Sequence, residues 1–295
     1  MEPSDRPDPR TVLVRMRAAL PDLRQSEQRV ARLFLDDPAT AANRSVAELA
    51  EQGGVSTASV VRFYKRMGYE RYKDLRIDLT REATRERIQH ANLPMVSGDI
   101  DRDDTVEDIV AKVAMAETLS IADTAEVLDR GALSAAIDLV LAARRVDSFG
   151  MGASSFVGLD FQQKLARVGR VALNWTDTHS AWTSAATLDA SCVALGVSHS
   201  GATPETVEFL AGARAAGAAT IALTNHGGSI LAAQADVVLL TAARETQFRS
   251  GALGSRIAQL MVLDCLFLGV ARASYDESMA ALRRTYAAVH GAERG

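Results

Sequence analysis

Residues 45–68, which read SVAELAEQGGVSTASVVRFYKRMG, decide the architecture of the N-terminal part of this chain. The pattern predicts two short helices joined by a tight turn. Ala50 supplies a small residue where the helices must approach closely, and Gly54 supplies a turn residue that enters the left-handed backbone region freely. Ser45, followed three residues later by Glu48, has the spacing of a capping box. The stretch therefore indicates a helix-turn-helix motif.

The second of these helices carries a polar face that suits DNA. Residues near the N-terminus of such a helix meet base edges in the major groove. Most protein–DNA hydrogen bonds go to phosphate and sugar, so basic residues further along should mainly position the protein. The candidate DNA-binding residues are Ser56, Thr57, Ser59, Arg62, Lys65, Arg66 and Lys73. An ordinary helical hairpin with a solvated basic face is the alternative that these residues alone leave open.

The charge balance separates the N-terminal segment from the rest of the chain. Residues 10–87 contain 16 Lys/Arg and 11 Asp/Glu, a net charge of +5. The remaining residues contain 17 basic and 26 acidic side chains, a net charge of −9, which gives −4 overall. A basic segment on an acidic body indicates a polyanionic partner for the N-terminal segment. Ordinary surface variation is the alternative.

The length of 295 residues and the ordinary globular composition predict about two domains. Residues 1–90 are expected to form an all-α helix-turn-helix domain, and residues 91–130 a linker with a connecting helix. From about residue 133, apolar strands alternate with helices, which predicts an αβα sandwich around a five-stranded parallel sheet. This domain is expected to span residues 131–275, before a helical tail at 276–295. The predicted strands are residues 146–149, 171–174, 192–197, 220–224 and 237–241.

Three predicted strands are followed by glycine- and hydroxyl-rich turns: GMGASS at 150–155, SHSGATP at 198–204 and TNHGGS at 224–229. Helix N-termini bind phosphate readily, and open parallel sheets bind ligands beyond the carboxyl ends of their strands. Ser198, Ser200 and Thr203 form a compact cluster of donors suited to one phosphate. Simple helix capping is the alternative for each turn alone. A dinucleotide-binding reading of GMGASS is weak, because Ser155 stands where a third glycine is needed.

Together these motifs resemble those of the RpiR family of bacterial regulators. Residues 45–76 resemble its helix-turn-helix, and residues 145–270 resemble its sugar isomerase (SIS) domain, through FGMGASS, SHSGATPETVEFL and RSGALGSRIAQLMVLDCLF. The resemblance implies an allosteric regulator of carbohydrate-catabolic genes with a phosphorylated sugar as its effector. It assigns the phosphate site to Ser154 or Ser155, Ser198, Ser200 and Thr203. Ala202 stands where SIS domains often have Glu, which changes the contacts open to the sugar.

Two further residues are candidate ligand contacts: His179 in TDTHSAW and Glu245 in ARETQFRSG. Enzymatic SIS domains need a general base and acid over the sugar's first two carbons, for which Glu245, His179, His199 and His226 are candidates. No complete catalytic set is evident, so we expect a sensor and not an enzyme. The alternatives are a phosphosugar isomerase whose basic helices serve oligomerisation, and a sugar-phosphate-binding regulator that acts on a protein partner.

The cysteines, Cys192 and Cys265, lie in apolar runs and have neither disulfide-framework nor metal-ligand spacing, so no metal or cofactor is expected. No targeting or membrane segment is expected, because the most apolar run, residues 257–271, is interrupted by Gln259 and Asp264. We therefore expect a cytoplasmic protein with operator DNA and a phosphorylated sugar as partners. A two-fold operator needs paired recognition helices, which predicts a homodimer or homotetramer.

Overall fold

A computed structural model describes residues 12–89, 101–243, 245 and 252–291. It divides the chain into two compact units, residues 1–97 and 98–295. The first unit is helical in its described part. Its helices are α1 Val12–Ala19, α2 Gln25–Asp36, α3 Pro38–Ala42, α4 Val46–Gln52, α5 Thr57–Arg66 and α6 Tyr72–Gln89, with a 3₁₀ turn at Leu20–Asp22.

Helices α4 and α5 form the predicted helix-turn-helix pair. Ser45 caps α4 by accepting a hydrogen bond from the Glu48 backbone N–H, and the Glu48 carboxylate accepts one from the Ser45 backbone N–H at 2.6 Å. These hydrogen bonds from Ser45 lower the pKa of Glu48. Gly54 adopts φ +58° in the turn, as the sequence predicts. Phe63 of α5 is fully buried and stacks on Phe34 of α2 with ring centroids 5.8 Å apart, which fixes α5 to the body of the unit.

The second unit has a parallel sheet with helices on both faces, as predicted. Its helices are α7 Val106–Val127, α8 Arg130–Ala142, α9 Ala153–Arg167, α10 Thr178–Ala185, α11 Pro204–Ala215, α12 Ile230–Ala233, α13 Leu253–Ala273 and α14 Tyr275–His290. Its strands are β1 Arg145–Phe149, β2 Ala172–Trp175, β3 Cys192–Val197, β4 Ala219–Thr224 and β5 Val237–Leu240. They pair in the order β2-β1-β3-β4-β5, and all the pairings are parallel.

Each face of the sheet has its own apolar core, because alternate residues of a strand point to opposite sides. On one face the buried residues include Val146, Phe161 and Leu266, which belong to β1, α9 and α13. On the other face they include Phe149 and Phe209, whose rings lie 5.5 Å apart between β1 and α11. The result is a three-layer domain with α8, α9 and α13 on one side and α10, α11 and α12 on the other.

A buried polar network joins β1, β2 and α10. Asp147 of β1 has no exposed surface, and its carboxylate is paired with the Arg145 guanidinium at 2.5 and 2.6 Å. Trp175 Nε1 donates to the same carboxylate at 2.7 Å, and Ser184 Oγ donates at 2.6 Å. Burying a charged group is costly unless it is paired and hydrogen-bonded, and these partners meet that need. The network fixes α10 against the edge of the sheet that β2 forms.

Helix α13 is long and apolar enough, by length and composition, to cross a membrane. It contacts α7, α8, α9 and α14, and its buried face includes the polar residues Ser255 and Gln259. This packing is that of a core helix of the domain. Helix α14, predicted as a C-terminal tail, contacts α9 and α13 and so belongs to the body of the second unit.

Candidate functional site

A pocket of about 520 Å³ opens at the carboxyl ends of β1 and β3. From β1 the chain connects to β2 on one side, and the following strands, β3 to β5, lie on the other side. The pocket therefore lies at the point where the strand order reverses, which is the usual ligand position in open parallel sheets. Its described lining residues are Met151, Gly152, Ala153, Ser154, Val197, Ser198, His199, Thr203 and Ala252.

A glycine after β1 brings the first pocket loop close to β3. A Cβ atom at Gly150 would lie 2.7 Å from the Val197 carbonyl oxygen and 2.9 Å from Ser154 Cβ. No other residue type fits there without movement of the backbone. The close approach places Ser154, at the start of α9, opposite the hydroxyls that follow β3.

Two helices that begin at the pocket lack the side-chain N-cap that four other helices of the unit have, as does α14 away from the pocket. Helices α7, α8, α10 and α12 have side-chain N-caps, from Thr105, Asp129, Asp177 and Ser229. Helices α9 and α11 have no side-chain cap, although their N-cap residues, Gly152 and Thr203, line the pocket. A helix N-terminus carries unsatisfied N–H groups and partial positive charge, so it attracts an anion. The two ends without side-chain caps leave N–H groups at the pocket that an anion could accept from.

Two residues of the hydroxyl cluster after β3, Ser198 and Thr203, line the pocket, and the third, Ser200, is exposed beside them. Ser198 is buried, and its Oγ lies 2.9 Å from Thr203 Oγ1 and 3.5 Å from Ser200 Oγ. Thr203 occupies the predicted N-cap position of α11, but its hydroxyl is hydrogen-bonded to Ser198 and does not cap the helix. Three of the predicted ligand residues, Ser198, Ser200 and Thr203, thus come together within one turn. Their hydroxyls can donate to phosphate oxygens without adding charge.

A second glycine holds this turn against the loop that follows β4. Gly201 has φ +62°, and a Cβ atom there would lie 2.1 Å from Ser229 Oγ and 2.8 Å from Thr224 Oγ1. The Gly201 carbonyl also accepts a hydrogen bond from the Leu231 backbone N–H at 2.9 Å. Only glycine combines this backbone conformation with this approach. The turn that carries Ser198, Ser200 and Thr203 is therefore held in place by its own packing against the loop after β4.

The two serines predicted at the start of α9 differ in position. Ser154 is buried, lines the pocket and donates a hydrogen bond to Gln259 Oε1 of α13 at 3.3 Å. Ser155 is half-buried and donates to the Gly152 carbonyl at 2.8 Å, within its own turn. The structure thus places Ser154 in the pocket wall and adds Gln259 as its support. In the sequence, the only sign that Gln259 supports Ser154 is that it is a polar residue in the most apolar run of the chain.

His179 and Glu245, like Ser155 and Ser200, lie outside the described pocket lining. His179 is exposed near the start of α10, beyond the edge strand β2. Glu245 follows β5, and its carboxylate accepts a hydrogen bond from the Ser255 backbone N–H at 2.5 Å, in the first turn of α13. Ala252, which directly precedes α13, lines the pocket, and the hydrogen bond to Ser255 therefore holds the Glu245 carboxylate near the pocket. His199, which was considered only as a catalytic base, is instead the histidine in the wall.

The predicted DNA-binding residues are exposed, with one exception. Ser59 is buried, and its hydroxyl lies 3.0 Å from Ser56 Oγ and accepts a hydrogen bond from Arg62 Nη2 at 2.9 Å. Arg66 is turned back into the unit, where its guanidinium pairs with the buried Glu27 at 3.3 Å and donates to the Asp22 carbonyl. The side chains of Ser56, Thr57, Arg62, Lys65 and Lys73 remain on the surface.

The end of α5 is anchored to α1 and α6. Arg15 Nη1 donates to the Met67 carbonyl at 2.9 Å, and its guanidinium lies over the Tyr69 ring, 5.1 Å from the centroid. Tyr69 Oη donates to Asp78 of α6 at 2.9 Å. Burial raises the pKa of Tyr69 to about 12, against the smaller opposing effect of Arg15. The exposed face of α5 is thus presented on a fixed helix, as groove reading requires.

Two known domain families match this chain. The helix-turn-helix domain of the rpiR family matches residues 11–86, and the SIS domain matches residues 139–269. The first covers the helical unit with α4 and α5, and the second covers the parallel sheet with its pocket. These matches define the class of protein: a helix-turn-helix protein with a SIS domain.

Whole-length relatives narrow the class further. The chain is 35% identical to an HTH-type transcriptional regulator of Caldanaerobacter subterraneus, over 88% of this chain and 90% of the relative. It is 34% identical to the HTH-type transcriptional regulator YbbH of Bacillus subtilis, over 90% and 92%. The structure of the Vibrio vulnificus NanR protein, complexed with ManNAc-6P, superimposes on this chain with a TM-score of 0.59 and 27% sequence identity. The match covers 94% of this chain and 98% of NanR. The chain belongs to the RpiR family of HTH-type transcriptional regulators.

Proposed function

We propose that this protein is a cytoplasmic regulator of carbohydrate-metabolism genes whose affinity for operator DNA is controlled by a phosphorylated sugar. The observation that carries the proposal is the pocket between β1 and β3, where two helix N-termini without side-chain caps meet a cluster of three hydroxyls. In a chain that also carries a helix-turn-helix domain, such an anion pocket serves as a sensor.

In the proposed site, the phosphate of the effector binds at Ser198, Ser200 and Thr203, with Ser154 on the facing wall. The N–H groups at the starts of α9 and α11 add donors and partial positive charge. The relative NanR was solved with ManNAc-6P, a phosphorylated amino sugar, which supports an effector of this class. The sugar itself extends toward the remaining pocket volume, bounded by Met151 and Ala252. Ser155, His179 and Glu245 remain proposed contacts for larger effectors.

In the proposed DNA complex, Thr57 at the start of α5 lies against base edges, beside the cap residue Ser56. Arg62 and Lys65 contact the DNA further along α5, and Lys73 contacts the backbone from α6. Ser59 acts by orienting the Arg62 guanidinium, to which its hydroxyl is bonded. Arg66 contributes mainly by holding Glu27, so its loss affects stability as well as DNA binding.

Regulation follows from linkage between the two sites. The effector must bind the DNA-competent and DNA-incompetent arrangements with different affinity, and a typical coupling of about 1–3 kcal/mol changes DNA affinity roughly 5–150-fold. The protein acts as a homodimer or homotetramer, because an operator of two half-sites requires two recognition helices. We expect no membrane partner and no metal ion or cofactor.

The isomerase alternative requires an acid–base pair over the sugar carbons. Within the described pocket lining, His199 is the one side chain that can act as a base, while the Glu245 carboxylate is bonded to the N-terminus of α13. This arrangement favours binding over turnover. An isomerase assay on the same phosphosugars, by exchange of the C2 proton with solvent deuterium, tests the alternative directly.

The test uses fluorescence anisotropy of the full-length protein on the DNA upstream of its own gene. The titration includes N-acetylmannosamine 6-phosphate, glucosamine 6-phosphate, glucose 6-phosphate and fructose 6-phosphate. We expect salt-dependent, sequence-selective binding that at least one of these sugars shifts by fivefold or more, roughly the lower end of typical coupling. Absence of selective binding to this or any other genomic fragment would contradict the regulator.

Matched variants separate the two sites. Arg62→Ala is expected to weaken DNA binding by about tenfold or more and to leave sugar binding unchanged. Arg32→Ala, which removes the same charge from an exposed position on α2, is the control and should have a smaller effect. Ser200→Ala should do the reverse, with DNA affinity kept and the sugar response reduced. Equal loss of both activities in every variant would contradict separate sites.

A further inference from the structure

A histidine of the pocket wall is packed against a second histidine behind it. His199 lies in the turn after β3 and lines the pocket, and His226 lies in the turn after β4. Their rings meet edge to face, with centroids 5.7 Å apart and an interplanar angle of 71°. Among the described lining residues, His199 is the only one with an ionisable side chain.

Thr224 holds the backbones of both histidines, and Asn225 also holds that of His199. The His199 carbonyl accepts hydrogen bonds from the Asn225 backbone N–H at 3.1 Å and from Thr224 Oγ1 at 3.2 Å. The backbone N–H of His226 donates to Thr224 Oγ1 at 3.3 Å. Asn225 is itself buried, and its Oδ1 accepts from Thr241 Oγ1 and from the Ala243 backbone N–H. The backbone bonds therefore fix the turns that carry the two rings, one of which lines the pocket.

The expected ligand is negatively charged, and apart from His199 no side chain of the described lining can carry a positive charge to match it. A phosphate monoester is largely dianionic at pH 7, because its second pKa is about 6. Hydroxyls and backbone N–H groups are neutral, and each helix N-terminus contributes only about half a positive charge. Imidazole has an ordinary pKa of about 6.5, so a nearby anion readily shifts it to the charged form.

We propose that His199 takes up a proton from solvent when a phosphorylated ligand binds, so that the His199–His226 pair supplies the positive charge that matches the phosphate. The proposal rests on the phosphate site described above. No bond between heavy atoms forms or breaks: one imidazole nitrogen gains an N–H bond to a proton from solvent, and the ligand dianion balances the charge. At most one proton is taken up per site, because two adjacent imidazolium rings repel each other.

The other charged groups around the pair come from neighbouring elements. The turn after β1 and the rest of the turn after β3 contribute none to the described lining. Glu205 lies in the first turn of α11, and Glu245 is bonded at the first turn of α13. A carboxylate acts on an imidazole in the same direction as the ligand, but these two are present with and without it. The bound phosphate differs from them in being present only in the complex, which ties the proton to binding.

The direction of the pH dependence follows from this linkage. A ligand that favours the charged imidazole binds more tightly as the pH falls toward the range where the free histidine is already protonated. A one-unit change in the histidine pKa on binding produces a tenfold change in affinity. Because the free histidine is already about half deprotonated at pH 6.5, affinity is expected to fall about fivefold between about pH 6.5 and about pH 8.5, out of the tenfold limit. A neutral site would show no such loss, because the phosphate becomes more fully dianionic over the same range.

The experiment follows histidine Cε1–H resonances of the full-length protein through a pH titration. The probes are sodium sulfate, which stays dianionic throughout, and N-acetylmannosamine 6-phosphate, with sodium chloride of matched ionic strength as the reference. His199→Gln and His226→Gln assign the two resonances, and His290→Gln, on α14, is the matched control. Calorimetry in two buffers of different ionisation enthalpy counts the protons taken up.

The expected result is an upward shift of the His199 titration by about one unit with either probe, and uptake of about half a proton per site at a pH midway between the free and bound titrations. His199→Gln should abolish both and flatten the pH profile of binding, whereas His290→Gln should leave them intact. Binding that is independent of pH, with no proton uptake in the wild type, would refute the proposal and leave the phosphate site standing. If neither probe nor any other phosphosugar bound at any pH, the proposed sensor function itself would fall.

Discussion

Substitution of Gly201 by alanine tests whether the turn after β3 is held as tightly as its geometry indicates. Gly201 has φ +62°, a conformation that costs an L-residue roughly 1–2 kcal/mol. The added Cβ would also meet Ser229 Oγ at 2.1 Å and Ser229 Cβ at 2.4 Å. Rotation of the Ser229 hydroxyl does not relieve the second contact, so backbone must move. Overpacking of this kind adds about 1–3 kcal/mol, for a total near 2–5 kcal/mol.

Gly217 provides the matched control. It has φ +94°, but a Cβ atom there would meet nothing within 4 Å. Gly217→Ala should therefore cost only the backbone strain of roughly 1–2 kcal/mol. The difference between the two variants isolates the packing of the pocket turn against Ser229.

The assay is urea unfolding followed by tryptophan fluorescence. Both tryptophans of the chain, Trp175 and Trp182, belong to the second unit, so the signal reports on the domain that contains Gly201. Phosphosugar affinity is measured alongside and should fall in Gly201→Ala, since the shifted turn carries Ser200 and Thr203. If Gly201→Ala proved as stable as Gly217→Ala and bound sugar normally, the close packing inferred here would be refuted.

Other predictions concern the core of the first unit, the buried network around Asp147, and two tyrosines of the first unit. Phe63→Ala should cost about 3–5 kcal/mol and abolish DNA binding, measured by thermal denaturation and anisotropy, because the ring is fully buried against α2. Asp147→Asn leaves Arg145 without its buried partner and should cost about 3 kcal/mol or more in urea unfolding. Burial raises the pKa of Tyr69 and of Tyr72 to about 12, so their contribution to stability is complete below about pH 10 and is lost as the pH rises through about 12. Tyrosinate absorbance should show two late-titrating groups; ionisation of all tyrosines near pH 10 in the folded protein would contradict this.

The strands and the helix-turn-helix were predictable from sequence because their signals are local. Each strand is an apolar run bounded by turn residues, and the predicted limits differ from the observed ones by at most a residue at either end. Helix α10 was missed, since THSAWTSA has no apolar periodicity and starts after a strand of only four residues. Its place is set by Asp147 and Ser184, 37 residues apart, which no local pattern reveals.

The site residues, too, could be predicted from sequence only where the signal is local. The SHSGAT turn was found from its composition, but the pairing of Thr203 with Ser198 in place of a helix cap depends on the fold of the turn. Arg66 reads as a surface base on α5, yet it pairs with Glu27, which lies 39 residues earlier and is buried. The His199–His226 contact joins two turns that follow neighbouring strands. Such contacts are set by tertiary structure and leave no periodic mark on the sequence.

Helix α13 begins at the pocket and extends far from it through the second unit. Its 21 residues make a rod about 32 Å long, which starts beside Ala252 in the pocket wall and runs between α7, α8 and α9 to Ala273. A tilt of only about 5° at the pocket end displaces the far end by about 3 Å, which is as large as the helix shifts that switch regulated proteins.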